Sequence, residues 1–113
     1  MEIAHGAIVV IAGPGDEAQG EASGRAAVVV QADLFNAAHS TVTLCPLTNV
    51  VGGEALFRVA ISPQEHTGLT VECEVQVDRI TSIRRERITG VIGHASATRM
   101  EQVDQALRRW LAL

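Results

Sequence analysis

Apolar runs near the middle of the chain predict two adjacent buried strands. The first run covers residues 26–30 and follows Arg25, and the second covers 41–48 and ends in Thr48. Short apolar runs bounded by polar turn residues are typical of strands inside a sheet. Because the connection between the runs is short, we expect the strands to lie side by side and antiparallel, which places Arg25 and Thr48 at the same end.

Further apolar segments predict the other strands of this sheet. Residues 71–78 alternate strictly between apolar and polar positions, which is typical of a strand with one solvated face. Glu74 and Asp78 belong to that face. The segment 56–61 alternates in part and ends before Pro63, as an edge strand does. Residues 79–83 continue the strand over 71–78, and the remaining short apolar segments are 8–11 and 91–92.

The last part of the chain predicts one amphipathic helix. Its apolar residues recur at steps of three and four, and Ser96 or Thr98 is placed to cap its start. The apolar stripe consists of Met100, Val103, Leu107 and Trp110. Five or six short strands followed by a helix indicate a mainly β fold with a C-terminal helix. We expect a small, strongly bent sheet or open barrel in a single domain over residues 1–113.

Composition narrows the class of protein. The 113 residues are 47% hydrophobic and 19% charged, which is typical of one globular domain. The formal net charge is -4, and all nine basic residues are Arg. An acidic chain is not expected to coat nucleic acid without specificity, whereas a local arginine cluster can still hold a few phosphates. The densest such cluster is Arg84–Arg85–Glu86–Arg87.

Cysteine and histidine usage gives no sign of a cofactor. Cys45 and Cys73 lie inside apolar runs, where we expect small buried side chains rather than a disulfide or a redox site. The four histidines are too far apart in the sequence to form a metal site with either cysteine, so no metal or other cofactor is expected. No signal-peptide pattern is visible and no apolar run approaches about 20 residues, so we expect a cytoplasmic protein that does not enter a membrane.

Arg25 and Thr48 are the residues best suited to chemistry. An arginine presents a planar fork of donors and a threonine hydroxyl adds one more, and together they fit a phosphate group. Gly13-x-Gly15 is similar to part of a phosphate-binding loop, but no Lys-Ser/Thr pair follows it, so nucleotide binding is not expected.

Four stretches, in this order, resemble the MazF/PemK family of toxin endoribonucleases. The first contains Gly-Arg followed by Val-Val-Val-Gln-Ala-Asp-Leu-Phe-Asn, and the four stretches cover 24–36, 41–48, 78–88 and 100–113. The resemblance implies an SH3-like curved sheet of the MazF/PemK/CcdB type and a homodimer. It implies a toxin of a type II toxin-antitoxin system that cleaves single-stranded RNA at specific sequences through the 2′-hydroxyl, without a metal. It also implies a MazE-like antitoxin as partner.

The resemblance places the family's catalytic Arg on Arg25 and its catalytic Thr on Thr48. A preorganised guanidinium can stabilise the charge that grows on a phosphorane, and a hydroxyl can position the same phosphate. As the general base, Glu21 is the best candidate because it lies just before Arg25 in the chain, and Asp78 and His39 are weaker candidates.

Contacts with RNA are expected from residues along the groove. Asn36 and Asp78 can hydrogen-bond to splayed bases, and Arg79, Arg84 and Arg85 can hold backbone phosphates. Because only 3% of the residues are aromatic, recognition should depend on hydrogen bonds more than on stacking.

Two other functions stay open on the sequence alone. One is a non-catalytic toxin of the same fold, which resembles CcdB and would bind DNA gyrase through the C-terminal helix and Trp110. The other is an SH3-like binding module whose loop at 13–24 has decayed. The presence of Arg25 and Thr48 favours the nuclease.

Overall fold

An open, antiparallel sheet and one long C-terminal helix make up the part of the chain that the computed structural model describes, residues 2–12, 25–53 and 56–113. This architecture confirms the predicted mainly β fold with a C-terminal helix. The strands are β1 (Ala7–Ile11), β2 (Arg25–Val29), β3 (Thr41–Thr48), β4 (Arg58–Ile61), β5 (Cys73–Gln76), β6 (Thr81–Arg84) and β7 (Ile88–His94). The helices are α1 (Asp33–Asn36) and α2 (Ala97–Leu111), and short 3-10 turns cover Pro63–Glu65, Val77–Arg79 and Arg85–Arg87.

The strand order in the sheet is β4-β5-β3-β2-β1-β7, with β6 also paired to β3. The predicted central pair is confirmed, since β2 and β3 are antiparallel, with Ala27 opposite Pro46 and Val29 opposite Leu44. The predicted edge strand is confirmed as well, because β4 stands at the end of this order. The central strand β3 therefore has neighbours along both of its sides.

The strand predicted from the alternation over 71–78 is shorter than the pattern. Strand β5 pairs with the last residues of β3, while β6 pairs with the first four. The 3-10 turn at Val77–Arg79 carries the chain from one pairing to the other along the same edge of β3, and Ile80 N–H donates to Val77 O there (3.2 Å). The alternation continues past the point where the ladder ends, because Val77 remains buried within the turn.

Two apolar clusters lie on the two faces of the sheet. Ile8, Val28 and Cys45 define the helix face, where they pack with α2. Val9, Ala27 and Leu44 define the far face, where a second cluster includes Ile3 and Ile88. Successive residues of a strand point to opposite faces, so each strand contributes to both clusters in turn.

Helix α2 packs against the helix face as its periodicity predicts. Ser96 caps its start, because the Ser96 hydroxyl accepts a hydrogen bond from Arg99 N–H at 3.1 Å. Met100, Val103 and Ala106 are buried. At the end of the helix, the Trp110 ring meets the edge of Phe57 at a centroid distance of 5.1 Å, which confirms a packing contact for this tryptophan.

Both cysteines are buried, as predicted for small apolar side chains. Burial raises the pKa of the Cys45 thiol to about 12, with a smaller contribution from the negative charge of Asp78. Cys45 is therefore a neutral thiol on the helix face.

Candidate functional site

Arg25 and Thr48 lie at the same end of the central strand pair. Strand β2 begins at Arg25 and β3 ends at Thr48. Ala27 lies opposite Pro46, and continuing this register by two residues places Arg25 opposite Thr48. The Cβ atoms of directly opposed residues are about 4.5–5.5 Å apart in an antiparallel pair. The strand register thus directs the two residues of the predicted chemical pair toward each other, just beyond the last paired residues of the ladder, Ala27 and Pro46.

The pair belongs to the far face of the sheet. Arg25 is two residues before Ala27 on β2, and Thr48 is four residues after Leu44 on β3. Because side chains an even number of residues apart on a strand point to the same face, Arg25 and Thr48 lie on the face that contains Ala27 and Leu44. Helix α2 covers the other face, so it does not overlie the pair. Arg25 is exposed and Thr48 is half-buried. A phosphate can therefore approach both side chains from solvent.

The hydroxyl of Thr48 is held by the loop that follows it. Thr48 Oγ1 accepts a hydrogen bond from Val50 N–H at 3.1 Å. A hydroxyl has one proton to donate and two lone pairs to accept with. Because Val50 uses a lone pair, the proton of the Thr48 hydroxyl remains available for an anionic oxygen.

Glu74 and Arg58 extend this site and were not selected from the sequence. Glu74 on β5 lies directly opposite Thr48, on the far face of the sheet. Glu74 accepts hydrogen bonds from Gly52 N–H (2.9 Å), Gly53 N–H (3.3 Å) and Arg58 Nη1 (3.3 Å). The alternation placed Glu74 on a solvated face, but no pattern showed that residues 49–53 fold back onto it.

The same donors act on the ionisation of Glu74. The Gly52 N–H bond lowers the pKa of the Glu74 carboxyl, and Gly53 and Arg58 lower it further, against the opposing effect of partial burial. These bonds therefore favour the charged form of the Glu74 carboxylate and make it a weaker proton acceptor.

Asn36 lies inside the connection between β2 and β3. Its side chain is almost completely buried, at 2% exposure. Asn36 Nδ2 donates to Gln31 O (3.0 Å) and to Asp33 Oδ1 (3.1 Å), and Asn36 Oδ1 accepts from Gln31 Nε2 (3.0 Å). These bonds occupy both sides of the amide, so its geometry fits a role in holding the connection rather than in contacting a base.

Arg85 also serves this connection. Its Nε donates to His39 O at 3.1 Å, and its Nη2 donates to Asn36 O. Arg85 lines a surface cleft of about 590 Å³. The cleft also contains the carboxylates of Glu2 and Asp33, so it is not a purely cationic surface.

The other predicted RNA contacts follow one edge of β3. Asp78 and Arg79 are exposed in the 3-10 turn beside its middle. Arg84 is exposed and lies opposite Thr41, at the start of β3. Thr41 and Thr48 are seven residues apart on β3, so their side chains point to opposite faces of the sheet. Arg84, opposite Thr41, is therefore on the other face from Arg25 and Thr48.

The candidate general bases are placed differently. Glu21 lies outside the described residues. His39 accompanies Thr41, to whose N–H and hydroxyl its Nδ1 is close (3.3 and 3.2 Å). Thr41 and Thr48 stand at opposite ends of the eight-residue strand β3, which spans roughly 24 Å at about 3.4 Å per residue. Within one chain, the structure therefore does not bring His39 to the pair.

Two features are absent from the described residues, 2–12, 25–53 and 56–113. None of the helices there is long and apolar enough to span a bilayer. In the same ranges, no three His, Cys, Asp or Glu side chains group so as to hold a metal ion.

Comparison with known sequences gives a consistent result. A model of the PemK-like, MazF-like toxins of type II toxin-antitoxin systems matches residues 4–111. Endoribonuclease MazF9 of Mycobacterium tuberculosis is 37% identical over 94 residues, which are 79% of this chain and 79% of that protein. The probable endoribonuclease MazF of Mycolicibacterium smegmatis is 32% identical over 89 residues, 79% of this chain and 81% of that protein.

Solved structures share the fold. The MazE-MazF structure (form II) of Deinococcus radiodurans has a TM-score of 0.80 at 21% identity and covers 100% of this chain and 98% of that chain. The Mycobacterium tuberculosis toxin MazF-mt6 has a TM-score of 0.77 at 18% identity, with 95% and 97% covered. These similarities do not favour the gyrase-binding alternative. The family match includes both strands of the central pair, and the chain belongs to the PemK-like, MazF-like toxins of type II toxin-antitoxin systems.

Proposed function

We propose that this chain is an endoribonuclease toxin that cleaves single-stranded RNA, with Arg25 and Thr48 holding the scissile phosphate. The proposal is supported by the strand register, because continuing it two residues beyond the Ala27–Pro46 pair directs Arg25 and Thr48 toward each other on one accessible face. Relatives that are 37% and 32% identical and are named as endoribonucleases support the same activity.

The reaction uses the 2′-hydroxyl of the RNA as the nucleophile. Its oxygen forms a bond to phosphorus, the bond to the 5′-oxygen breaks, and a 2′,3′-cyclic phosphate and a 5′-hydroxyl result. Negative charge grows on the non-bridging oxygens during this step. The Arg25 guanidinium stabilises that charge, and the Thr48 hydroxyl donates its proton to one of the same oxygens.

A general base must take the proton of the 2′-hydroxyl. Glu21 is our candidate, because it comes just before Arg25 in the chain, and Asp78 is the second. A positioned base contributes roughly 10²–10⁴-fold to the rate. None of the three tasks in this scheme, namely proton removal, charge stabilisation and protonation of the leaving oxygen, requires a metal ion.

Substrate RNA is proposed to run across the surface of the sheet from Thr48 toward Asp78 and Arg79. Both residues are exposed beside the middle of that strand, where a carboxylate can accept from a base and a guanidinium can hold a phosphate. Arg84 lies on the other face of the sheet and Arg85 is bonded to the β2–β3 connection, so the proposed path does not include them. The net charge of -4 predicts modest affinity and a short footprint.

A MazE-like antitoxin and a second copy of the chain are the proposed protein partners. Support for the antitoxin comes from the structural neighbours, which include an endoribonuclease in complex with its cognate antitoxin from a Mycobacterial species and MazE-MazF of Deinococcus radiodurans. The homodimer follows from the resemblance to MazF toxins. Because cellular RNA is the proposed substrate, we place its action in the cytoplasm.

The test is cleavage of a labelled, mixed-sequence single-stranded RNA in EDTA. We expect the wild type to cut and to leave a 2′,3′-cyclic phosphate or a 3′-phosphate. Loss of one preorganised donor costs about 10²–10³-fold in comparable sites, so Arg25→Ala should cut at least that much more slowly. Arg108→Ala is the matched control, because it removes an equal charge from an exposed position on α2.

Intact RNA with the wild-type protein would contradict the proposal, and equal cleavage by Arg25→Ala would remove Arg25 from the mechanism. Inhibition of DNA gyrase by a protein that leaves RNA intact would select the CcdB-like alternative instead.

A further inference from the structure

The orientation of the Thr48 hydroxyl depends on the loop at residues 49–53. A threonine side chain has more than one accessible χ1 rotamer, and only one of them points its hydroxyl at a given phosphate oxygen. In this structure the bond from Val50 N–H to Thr48 Oγ1 selects the rotamer. The position of Val50 N–H is set in turn by the path of the loop.

Glu74 fixes that path from the neighbouring strand. Glu74 Oε2 accepts from Gly52 N–H at 2.9 Å, and Glu74 Oε1 accepts from Gly53 N–H at 3.3 Å. Gly52 has a positive φ of 93°, so the backbone turns back over the sheet at this point. The loop is thus held at Val50 by Thr48 and at Gly52 and Gly53 by Glu74.

Arg58 supports the carboxylate from β4. Its Nη1 lies 3.3 Å from Glu74 Oε1, and the Arg58 and Glu74 side chains are only 23% and 14% exposed. The Arg58 side chain also packs against Gly53, where an added Cβ would lie 2.5 Å from Arg58 Nη1. Limited contact with water strengthens such charge-assisted bonds.

We propose that Glu74 is a positioning residue for Thr48, which acts by fixing the 49–53 loop so that Val50 holds the catalytic hydroxyl toward the phosphate. The proposal rests on the proposed nuclease function and deepens it. Glu74 lies directly opposite Thr48, so the positioning residue and the catalytic residue are joined by the ladder as well as by the loop.

A direct role for Glu74 as the general base fits the geometry less well. Three donors already occupy its two oxygens, and they stabilise the charged form of the carboxylate. A base with a lowered pKa has little driving force to accept a proton from a 2′-hydroxyl. The same three bonds suit Glu74 to holding the loop at residues 49–53 in place.

The test is a double-mutant cycle on RNA cleavage with Glu74→Gln and Thr48→Val. Glutamine has the shape of glutamate, but it offers one oxygen and one NH₂ group to three donors, so the loop should lose at least one anchor. We expect Glu74→Gln to lower kcat about 10–100-fold, as small misplacements of a catalytic group do, and to change KM by less than about threefold. In the Thr48→Val background, the same change should have almost no further effect.

Two measurements separate positioning from a loss of folding. Thermal unfolding should show that Glu74→Gln remains folded at the assay temperature. Amide hydrogen exchange at Gly52 and Gly53 should become about tenfold faster or more, because the Glu74 bonds that protect these amides are lost. Glu72→Gln is the matched control, since Glu72 is an exposed glutamate two positions before Glu74, and it should change neither exchange nor kcat.

The outcomes distinguish this proposal from the function on which it rests. A wild type that cuts no RNA overturns both. A wild type that cuts, together with effects of Glu74→Gln and Thr48→Val that simply multiply, overturns the positioning role and leaves the nuclease intact. Unchanged exchange at residues 52 and 53 in Glu74→Gln overturns the loop contact through which the role is proposed.

Discussion

The two ends of the β2–β3 pair use polar side chains in opposite ways. At the connected end, Asn36 is buried and its amide is bonded on both sides to Gln31 and Asp33. At the other end, Arg25 is exposed and the Thr48 hydroxyl accepts one internal bond while it keeps a proton to donate. In sequence both ends look alike, as polar residues that border apolar runs. A polar side chain whose hydrogen bonds are all made within the chain supports the fold, whereas one that keeps a donor for a substrate can take part in chemistry.

The difference has a physical cause. A buried polar group without partners costs free energy, so the polar atoms of the connected end must be satisfied within the chain. A half-buried hydroxyl can leave its proton to water until a substrate replaces it. Glu74 is the intermediate case, because its shielded carboxylate satisfies backbone donors that belong to the site itself. Variants at the connected end should therefore lower the free energy of unfolding, whereas variants at the other end should lower the rate of RNA cleavage.

Among the variants that test this comparison between the two ends, the largest effect is expected from Thr48→Val. Valine keeps the shape and the strand preference of threonine but removes the hydroxyl, so kcat should fall about 10²-fold, the usual effect of losing one transition-state donor. Denaturant unfolding should show a change of less than about 1 kcal/mol, since the one internal bond that is lost is partly exposed. Single-turnover cleavage of RNA measures the first quantity.

Thr48→Ser is the matched control for this variant. Serine retains the hydroxyl, and we expect its kcat to stay within about tenfold of the wild-type value, the loss coming from greater rotamer freedom. Equal activity of Thr48→Val and the wild type would show that the Thr48 hydroxyl has no part in catalysis.

A second prediction concerns the connected end. Asn36→Ala removes a buried amide that makes three bonds and leaves Gln31 O without that donor, so the free energy of unfolding should fall by about 1–3 kcal/mol. Urea denaturation followed by circular dichroism measures it. The exposed residue Gln105 on α2 offers a matched control, because Gln105→Ala should change the stability by less than about 0.5 kcal/mol.

Cleavage by the folded fraction of Asn36→Ala sharpens the comparison. If Asn36 only holds the connection, the rate per folded molecule should be close to that of the wild type. A large rise in KM without loss of stability would instead assign Asn36 to base contact, as first expected from the sequence.

The smallest effect is a pH dependence of stability at Asp33. The His5 N–H bond (2.7 Å) lowers the pKa of the Asp33 carboxyl, and the Asn36 amide lowers it further. The folded pKa is thus below the unfolded one, which is about 4 for an aspartate. The stabilisation is fully present above the unfolded pKa and is lost as the pH falls through the folded pKa.

Asp33→Asn tests this sign directly. Asparagine retains an acceptor oxygen but carries no charge, so the variant should be less stable than the wild type at pH 7. This difference in stability should shrink as the pH falls below the unfolded pKa of about 4 and through the lower folded pKa. Urea unfolding at a series of pH values measures it. A difference in unfolding free energy between the variant and the wild type that stays constant with pH would show that the charge of Asp33 does not stabilise the connected end.

Much of the fold could be predicted from the sequence because periodicity reports burial. The two central apolar runs became the strands β2 and β3, and apolar residues at steps of three and four became one face of α2. The alternation over 71–78 was less reliable for length, since a buried Val77 fits a 3-10 turn as well as a strand. Residue type and position also selected Arg25 and Thr48, because a donor fork and a hydroxyl at strand ends are visible in a string of letters.

The remaining parts of the site depended on contacts between distant segments. Sequence patterns determined which residues enter the sheet and which face each one takes, since those properties follow from local alternation of apolar and polar positions. Only the tertiary structure decided that the backbone at residues 52 and 53 bonds to Glu74, or that Arg85 donates to the carbonyl oxygens of Asn36 and His39. Hydrogen bonds between segments more than 20 residues apart depend on how the chain closes in space, and no local pattern records that closure.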